Sequence, residues 1–200
     1  MKGSLVIIGF FILGILCGLF HIVPSEIADS TVSFAALCAL IFCVGISIGC
    51  DSKVLDSLRR INPRLLLLPL FTMAGTLAGC AAASLLLPHR TLTDCLSIGS
   101  GFGYYSLSSI FITEYRGAAL GTVALLSNII RELLTLLAAP LLAKWFGPLA
   151  PISVGGATSM DTTLPIITRY SGKEFVTVSI FHGFCMDFSV PFLVTFFCEL

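Results

Sequence analysis

Charge is what this sequence has least of. Only 11% of its 200 residues are Asp, Glu, Lys or Arg, against roughly a quarter in soluble domains. That shortage excludes an ordinary soluble body. With 56% hydrophobic residues and a mean hydropathy of +1.03, the chain reads as an integral membrane protein. There is no excess of either sign, eleven basic residues against eleven acidic ones, so nothing draws a nucleic acid. Alternating strands of about ten residues are missing, which argues against a β-barrel. The eight cysteines contain no C-x-x-C pair. Most lie inside apolar runs as small packing residues, and neither a metal site nor a disulfide framework is expected. No small-x-small cleavage site follows the first apolar run, Ser4–Val23. That run is also longer than a signal-peptide core, so it is taken as a first helix.

What the sequence does have is long apolar runs. Ser4–Val23, Ser30–Cys50, Leu65–Leu87, Ala118–Trp145 and Phe175–Phe197 each approach or exceed the roughly 20 residues that cross a hydrocarbon core of about 30 Å. Two weaker segments, Cys95–Ile112 and Ile152–Ile167, are interrupted by Gly, Ser, Thr and Pro. The expected fold is an all-α membrane protein of about seven hydrophobic segments, with those two discontinuous or re-entrant. Residues 1–93 form an N-terminal three-helix region carrying a basic loop at 51–64. Residues 94–200 form a core of two units, each a broken segment followed by a long helix.

Lys53, Arg59, Arg60 and Arg64 crowd the basic loop, which places it in the cytoplasm. The N-terminus is then cytoplasmic and the C-terminus external. If both weak segments span, Arg116 is inside and Lys144 outside; if both re-enter, the two trade sides and the charge bias is the same. Charge therefore does not distinguish the two models.

A candidate repeat appears at an offset of 55 residues. "ITEYRG" (Ile112 to Gly117) aligns with "ITRYSG" (Ile167 to Gly172), Gly101 meets Gly156, Ser106 meets Asp161 and Glu132 meets Asp187. Repeats with discontinuous helices and a midplane site are the plan of many secondary transporters. An odd number of crossings per unit makes such a repeat inverted, and an even number parallel.

Acids within the apolar segments carry the chemistry. A charged side chain at a membrane-helix centre costs about 2.5 to 3.5 kcal/mol on insertion scales, so it faces a protein partner or a wet cavity. Glu132, Asp161 and Asp187 qualify. Asp161 follows Gly155, Gly156, Ala157, Thr158 and Ser159, where glycine permits a break and hydroxyls satisfy freed backbone groups. Thr162, Thr163 and Pro165 suit the first turn of a new helix with Asp161 near its cap; the blander alternative is a capping Asp at an interfacial helix start. In "GSGFGYYSLSS" the glycines Gly99, Gly101 and Gly103 lack the βαβ context of a phosphate loop. They fit an unwound helix, with Tyr104, Tyr105 and Ser106 offering hydroxyls, or equally a small-residue packing face. Asn128, Arg131 and Glu132 lie within one turn, where Arg131 and Glu132 neutralise each other or find partners on the broken segments, as a structural ion pair or in a transport role. His182 is a proton relay or a hydrogen-bonded core residue.

"SGFGYYSLSS", "SNIIREL", "GATSMDTTLP" and "FHGF", in that order and spacing, resemble the lysine exporter family of bacterial inner-membrane proteins, the LysO type. The likeness is densest from Gly99 to Phe184. It implies export of L-lysine and of analogues such as thialysine, coupled to a proton or sodium gradient, with no other cofactor and no bound metal. The intramembrane Asp that the family requires falls on Asp161. Family members run to about three hundred residues, with an N-terminal portion carrying a second important acid. That portion is not seen here, which leads to the expectation of a separate small membrane partner. The family position matching Asp187 is often apolar, which counts against a shared role for it.

The candidate substrate or coupling-ion residues are therefore Asp161, Glu132, Asn128, Arg131, Tyr105, Ser106, Thr158, Ser159, Thr162 and His182. The helix-break residues are Gly99, Gly101, Gly103, Gly155, Gly156 and Pro165. L-lysine, the bilayer, a small membrane protein and a second copy of the chain are the expected partners. An ion channel and a non-transporting assembly subunit are the rival classes. An intramembrane aspartyl protease is disfavoured, because Asp51 sits at a helix end beside the basic loop.

Overall fold

The computed structural model describes residues 63–200, together with the isolated positions 13, 16, 17, 20, 42 and 46. The chain divides into two units, Met1–Cys50 and Asp51–Leu200, and the description below concerns the second. The expected helices Ser4–Val23 and Ser30–Cys50, the basic residues Lys53, Arg59 and Arg60, and the N-terminus lie outside the described residues.

Among the described residues there are seven α-helices and no strand, an all-α protein. Helix α1, Leu68–Ser84, has Pro69 in its first turn, where a missing N–H costs nothing. Helix α2, Leu92–Gly99, opens on a capping box: Thr91 Oγ1 accepts from Asp94 N at 3.1 Å, and Asp94 Oδ2 accepts from Thr91 N at 3.3 Å. A break follows, then α3, Tyr105–Arg116, and α4, Ala118–Phe146. Helix α5, Ala150–Gly155, passes into a 3-10 turn, Gly156–Met160. Helix α6, Leu164–Ser171, and α7, Val176–Glu199, complete the chain. Three stretches are long and apolar enough to cross a membrane: Leu65–Ser84, Ala118–Phe146 and Lys173–Glu199.

Helix order repeats at the offset seen in the sequence. Each unit is a half-helix, a break, a second half-helix, a glycine and a long helix. The glycines correspond: Gly117 has φ 90° and donates to Thr113 O at 2.9 Å, while Gly172 has φ 109° and donates to Thr168 O at 3.3 Å. Both use a positive φ that other residues reach only under strain.

Where the half-helices begin and end fixes how each unit is threaded. Asp94, in the first turn of α2, lies 3.7 Å from Arg116 at the end of α3. The first broken segment therefore returns to the end of the bundle it started from. Arg116 Nε also donates to Cys198 O at 2.8 Å, and Nη2 to Phe197 O at 3.4 Å, so α7 finishes at that same end. Helix α4 starts there, beside Arg116, and α4 and α7 consequently run in opposite directions. At the other end, Ile152 of α5, Ile167 of α6 and Val178 of α7 form one buried cluster, with Leu149 and Phe175 packed on it. The second broken segment thus also returns to its starting end, the opposite one. Two hairpins enter from opposite ends, each followed by one long helix, which makes the repeat inverted.

Candidate functional site

The hairpin tips meet in the middle of the bundle. Phe102 O accepts a hydrogen bond from Ala157 N at 2.9 Å. Phe102 has φ 45° and no exposed surface. Gly156, at φ 62°, leaves room for it, since a Cβ there would run into the Phe102 carbonyl. Gly103, at φ 97°, similarly passes close to Gly155 O.

Each break is pinned by polar side chains from the long helices. Asn128 Oδ1 accepts from Gly103 N at 2.8 Å, and its Nδ2 donates to Ala124 O at 2.9 Å and Ser108 Oγ at 3.4 Å. Gly101 is required beside it, because an added Cβ would fall 2.5 Å from Asn128 Nδ2. Arg131 reaches across to the other unit: Nε donates to Val154 O at 2.8 Å and Nη2 to Ser153 O at 3.0 Å. Its fork satisfies carbonyls that α5 leaves free at its C-terminus. Of the two arrangements expected for Arg131, a partner on a broken segment forms and a pairing with Glu132 does not; the ion pair among the described residues is Asp94 with Arg116. The physical reason is the α5 terminus, which offers the guanidinium two directed acceptors.

In the second break, Ser159 Oγ lies 2.7 Å from Gly156 O, 3.0 Å from Ser179 O and 3.2 Å from His182 Nδ1. Ser179 Oγ donates to Ser159 O at 2.7 Å. His182 Nε2 contacts Thr72 Oγ1 at 3.0 Å, so the ring has both nitrogens engaged and no exposed surface. Thr158 Oγ1 donates to Gly155 O and Thr163 Oγ1 to Thr158 O, both at 2.9 Å. The hydroxyls of this run thus do the work of the missing helical ladder.

Asp161 stands apart from this inward bonding. Its side chain is exposed, as are those of Thr162 and Ser106, and its carboxyl accepts only from the neighbouring Thr162 amide. Helix α6 begins at Leu164, with Thr163 at its cap. Asp161 is therefore not the capping residue, and Thr162 and Thr163 precede the first turn instead of forming it. Pro165 does occupy that turn. Next to Asp161, Met160 packs on Gly183, which lies seven residues into α7, about 10 Å along its axis. On the other side, Asn128 lies ten residues into α4, about 15 Å from its start. The breaks are accordingly well inside the long helices, not at their ends. Asp161 is within electrostatic reach of Tyr104 and Tyr105, and Glu132 of Tyr105.

Asp187, singled out in the sequence as an intramembrane acid, is not among the candidate site residues drawn from it, and the contact of Asp94 with Arg116 was not foreseen. Asp187 is buried at 6% exposure and within charge interaction of Asp161. It was visible as an acid inside an apolar run, aligned with Glu132. The T-x-x-D pattern at Thr91 marks the start of α2, but nothing in it points to Arg116. A groove of about 420 Å³ lies between α1 and the α5 terminus, lined by Phe71, Thr72, Gly75, Thr76 and Arg131 among others.

Two antiparallel long helices and two opposed hairpins that meet inside the bundle define a multi-pass helical membrane protein. Within that class the chain belongs to the lysine exporter LysO family, whose model matches residues 8–198. It is 31% identical over 194 residues to the lysine exporter LysO of Escherichia coli strain K12, a match covering 97% of this chain and 64% of that protein. It is 34% identical over 161 residues to a Haemophilus influenzae protein named "Putative lysine exporter", covering 80% of this chain and 81% of the relative. No solved structure matches the chain.

Proposed function

We propose that this chain exports L-lysine from the bacterial cytoplasm as an ion-coupled secondary transporter of the inner membrane, with Asp161 as the cation-binding residue. The observation that carries the reading is the position of Asp161: an exposed carboxylate at a helix break, deep within the length of the long helices, among side chains that otherwise bond inward. Support also comes from the names of the relatives.

Lysine presents two ammonium groups and a carboxylate. Asp161 attracts an ammonium. Helices α3 and α6 both begin at the hairpin tips, so their N-terminal partial charges face the region where the substrate carboxylate is held. Glu132, Tyr105, Ser106 and Thr162 supply further polar atoms around it, while Asn128, Arg131, Thr158, Ser159 and His182 keep the breaks in shape. In the membrane, the Lys144, Arg169 and Lys173 end faces the cytoplasm and the Arg90 and Arg116 end faces outward. The first hairpin then re-enters from outside and the second from inside. Thialysine, which differs from lysine by one sulfur in the side chain, fits the same charge pattern.

Proteoliposomes loaded with labelled L-lysine test this. Wild-type protein releases lysine when an inward ion gradient is imposed, and Asp161→Asn, which keeps the shape and removes the charge, loses the release. Asp161→Asn protein that exports at the wild-type rate removes the residue from the mechanism.

A further inference from the structure

Arg131 is a guanidinium near the middle of a membrane-crossing helix, with more donors than the protein uses. It stands thirteen residues into the 29-residue α4, which is long and apolar enough to span the bilayer. Its Nε and Nη2 are taken by the Val154 and Ser153 carbonyls. Nη1 has no partner among the described residues, and it is not enclosed, since the sealed, unpartnered polar atom there is Ser171 Oγ. No carboxylate offsets the charge either, the ion pair among the described residues being Asp94 with Arg116. Holding two neutral carbonyls needs donors but not a full charge, and a neutral donor would do it without the cost of taking an ion out of water. A positive charge kept at this depth is set to meet a negative one.

The open space beside it is the groove of about 420 Å³ between α1 and the end of α5. Phe71, Thr72, Gly75 and Thr76 line its α1 side, midway along the apolar stretch Leu65–Ser84. The lining is mixed: one guanidinium, the hydroxyls of Thr72 and Thr76, and apolar surface from Phe71 and Val154, with no acid among them. Such a wall suits an anion that carries an apolar stem better than a bare inorganic ion. Arg131 Nη2 also lies 3.3 Å from where a Gly156 Cβ would stand, so the charged side of the groove touches the second break. In the 55-residue register Arg131 meets Met186; one unit carries this charge and the other does not.

We propose that Arg131 binds the α-carboxylate of L-lysine in this groove through Nη1, with the methylenes of the substrate against the apolar lining. The proposal rests on the lysine-export reading above and adds to it the residue that recognises the acid end of the substrate. Helix N-termini at the hairpin tips supply partial charge; Arg131 supplies a whole one. The consequence is selectivity. A diamine of like length offers nothing to Nη1, and its second ammonium is repelled by the guanidinium, so the site accepts the amino acid and rejects its decarboxylated form.

Affinity of the purified full chain for L-lysine and for L-lysinamide, in which a neutral amide of similar size replaces the carboxylate, tests this. Calorimetric titrations at about pH 6 keep the amino groups of both ligands charged. Wild-type protein should bind lysine about tenfold or more tightly than the amide, the scale of one charge-assisted hydrogen bond. Arg131→Gln, as far as it is recovered folded, should bind the two alike. Gly75→Leu reaches the same site without touching the α5 carbonyls: an added Cβ at Gly75 meets nothing within 4 Å, and the larger side chain fills the groove. It should weaken lysine binding by a like factor with the melting temperature not lowered. Gly79→Leu, one turn on and equally open but outside the groove lining, should bind as wild type.

Equal wild-type affinities, the result expected if Arg131 serves only the α5 carbonyls or a lipid phosphate, overturn the proposal and leave the export reading standing. So do a preference for lysine that survives in Arg131→Gln, a Gly75→Leu protein that binds as wild type, and a Gly79→Leu protein as impaired as Gly75→Leu. Wild-type protein that binds neither ligand overturns the export reading and the proposal together.

Discussion

The Phe102 carbonyl takes a hydrogen bond from the Ala157 amide at 2.9 Å, and these residues stand 55 apart, at the same register of the two units. The contact therefore lies on the pseudo-symmetry axis of the repeat. One bond joins the two hairpin tips where both chains have left helical geometry, so neither break is supported by its own unit alone. Each borrows from the other: α4 supplies Arg131 to α5, and α7 receives Arg116 from α3 at its end.

Gly156 is the position at which this joint is most easily broken. Its φ of 62° with ψ of −128° suits glycine alone, and an added methyl group strikes the Phe102 carbonyl. Strain of this kind costs on the order of 1–3 kcal/mol before the clash is counted. Gly156→Ala is expected to lower the detergent melting temperature clearly and to abolish lysine efflux. Thermal unfolding followed by size-exclusion recovery measures the first, and the proteoliposome assay the second.

Arg131 and Glu132 are adjacent in sequence and should behave oppositely. Arg131→Met leaves the Ser153 and Val154 carbonyls without their donors, a loss of about 1–3 kcal/mol. Arg131→Lys should recover only part of it, because an ammonium lacks the planar fork. Glu132→Gln breaks no ion pair and should leave the melting temperature within error of wild type. Parallel melts of the three variants check this, and a Glu132→Gln protein as unstable as Arg131→Met would contradict the geometry.

Much of this arrangement was legible in the sequence because membrane physics leaves few choices. Apolar length gave the crossing helices of the described residues, and glycine with hydroxyl clusters gave both breaks. The motif pair ending in Gly117 and Gly172 gave the repeat. What the sequence hid was direction. Charge bias was equal for spanning and re-entrant hairpins, and the choice came from a contact between residues 22 apart, Asp94 and Arg116. A broken segment was one of two partners open for Arg131, but the acceptors themselves were hidden, since they are backbone carbonyls of another unit, which no side-chain pattern reveals. Asp187 was visible as an acid in an apolar run, but its burial depends on how α7 is rotated, which the sequence does not give.

The hairpin directions give a topology that surface labelling can read. Single cysteines replacing Arg90 and Ala118, both exposed, should react with a membrane-impermeant maleimide from outside the cell. Cysteines replacing Lys144 and Lys173, also exposed, should react only after the membrane is opened. A spanning first segment would put positions 90 and 118 on opposite sides. Labelling in a background freed of the eight native cysteines separates the two arrangements.

His182 is the titratable group most easily mistaken for a proton relay, and its surroundings argue for a structural role. Both ring nitrogens are engaged, one with Ser159 of the break and the other with Thr72 of α1, and no part of the ring is exposed. A relay needs contact with solvent or with an acid or base, and the ring has no exposed surface and no titratable hydrogen-bond partner among the described residues. His182→Gln keeps one donor and one acceptor and is expected to lower stability by about 1–2 kcal/mol, the scale of a lost buried hydrogen bond. Lysine efflux should persist at a reduced level with the pH profile of the wild type. Efflux rates of His182→Gln and wild type, measured across the same pH range, decide the matter. A flattened profile in the variant would count against the structural role and in favour of a proton-carrying one.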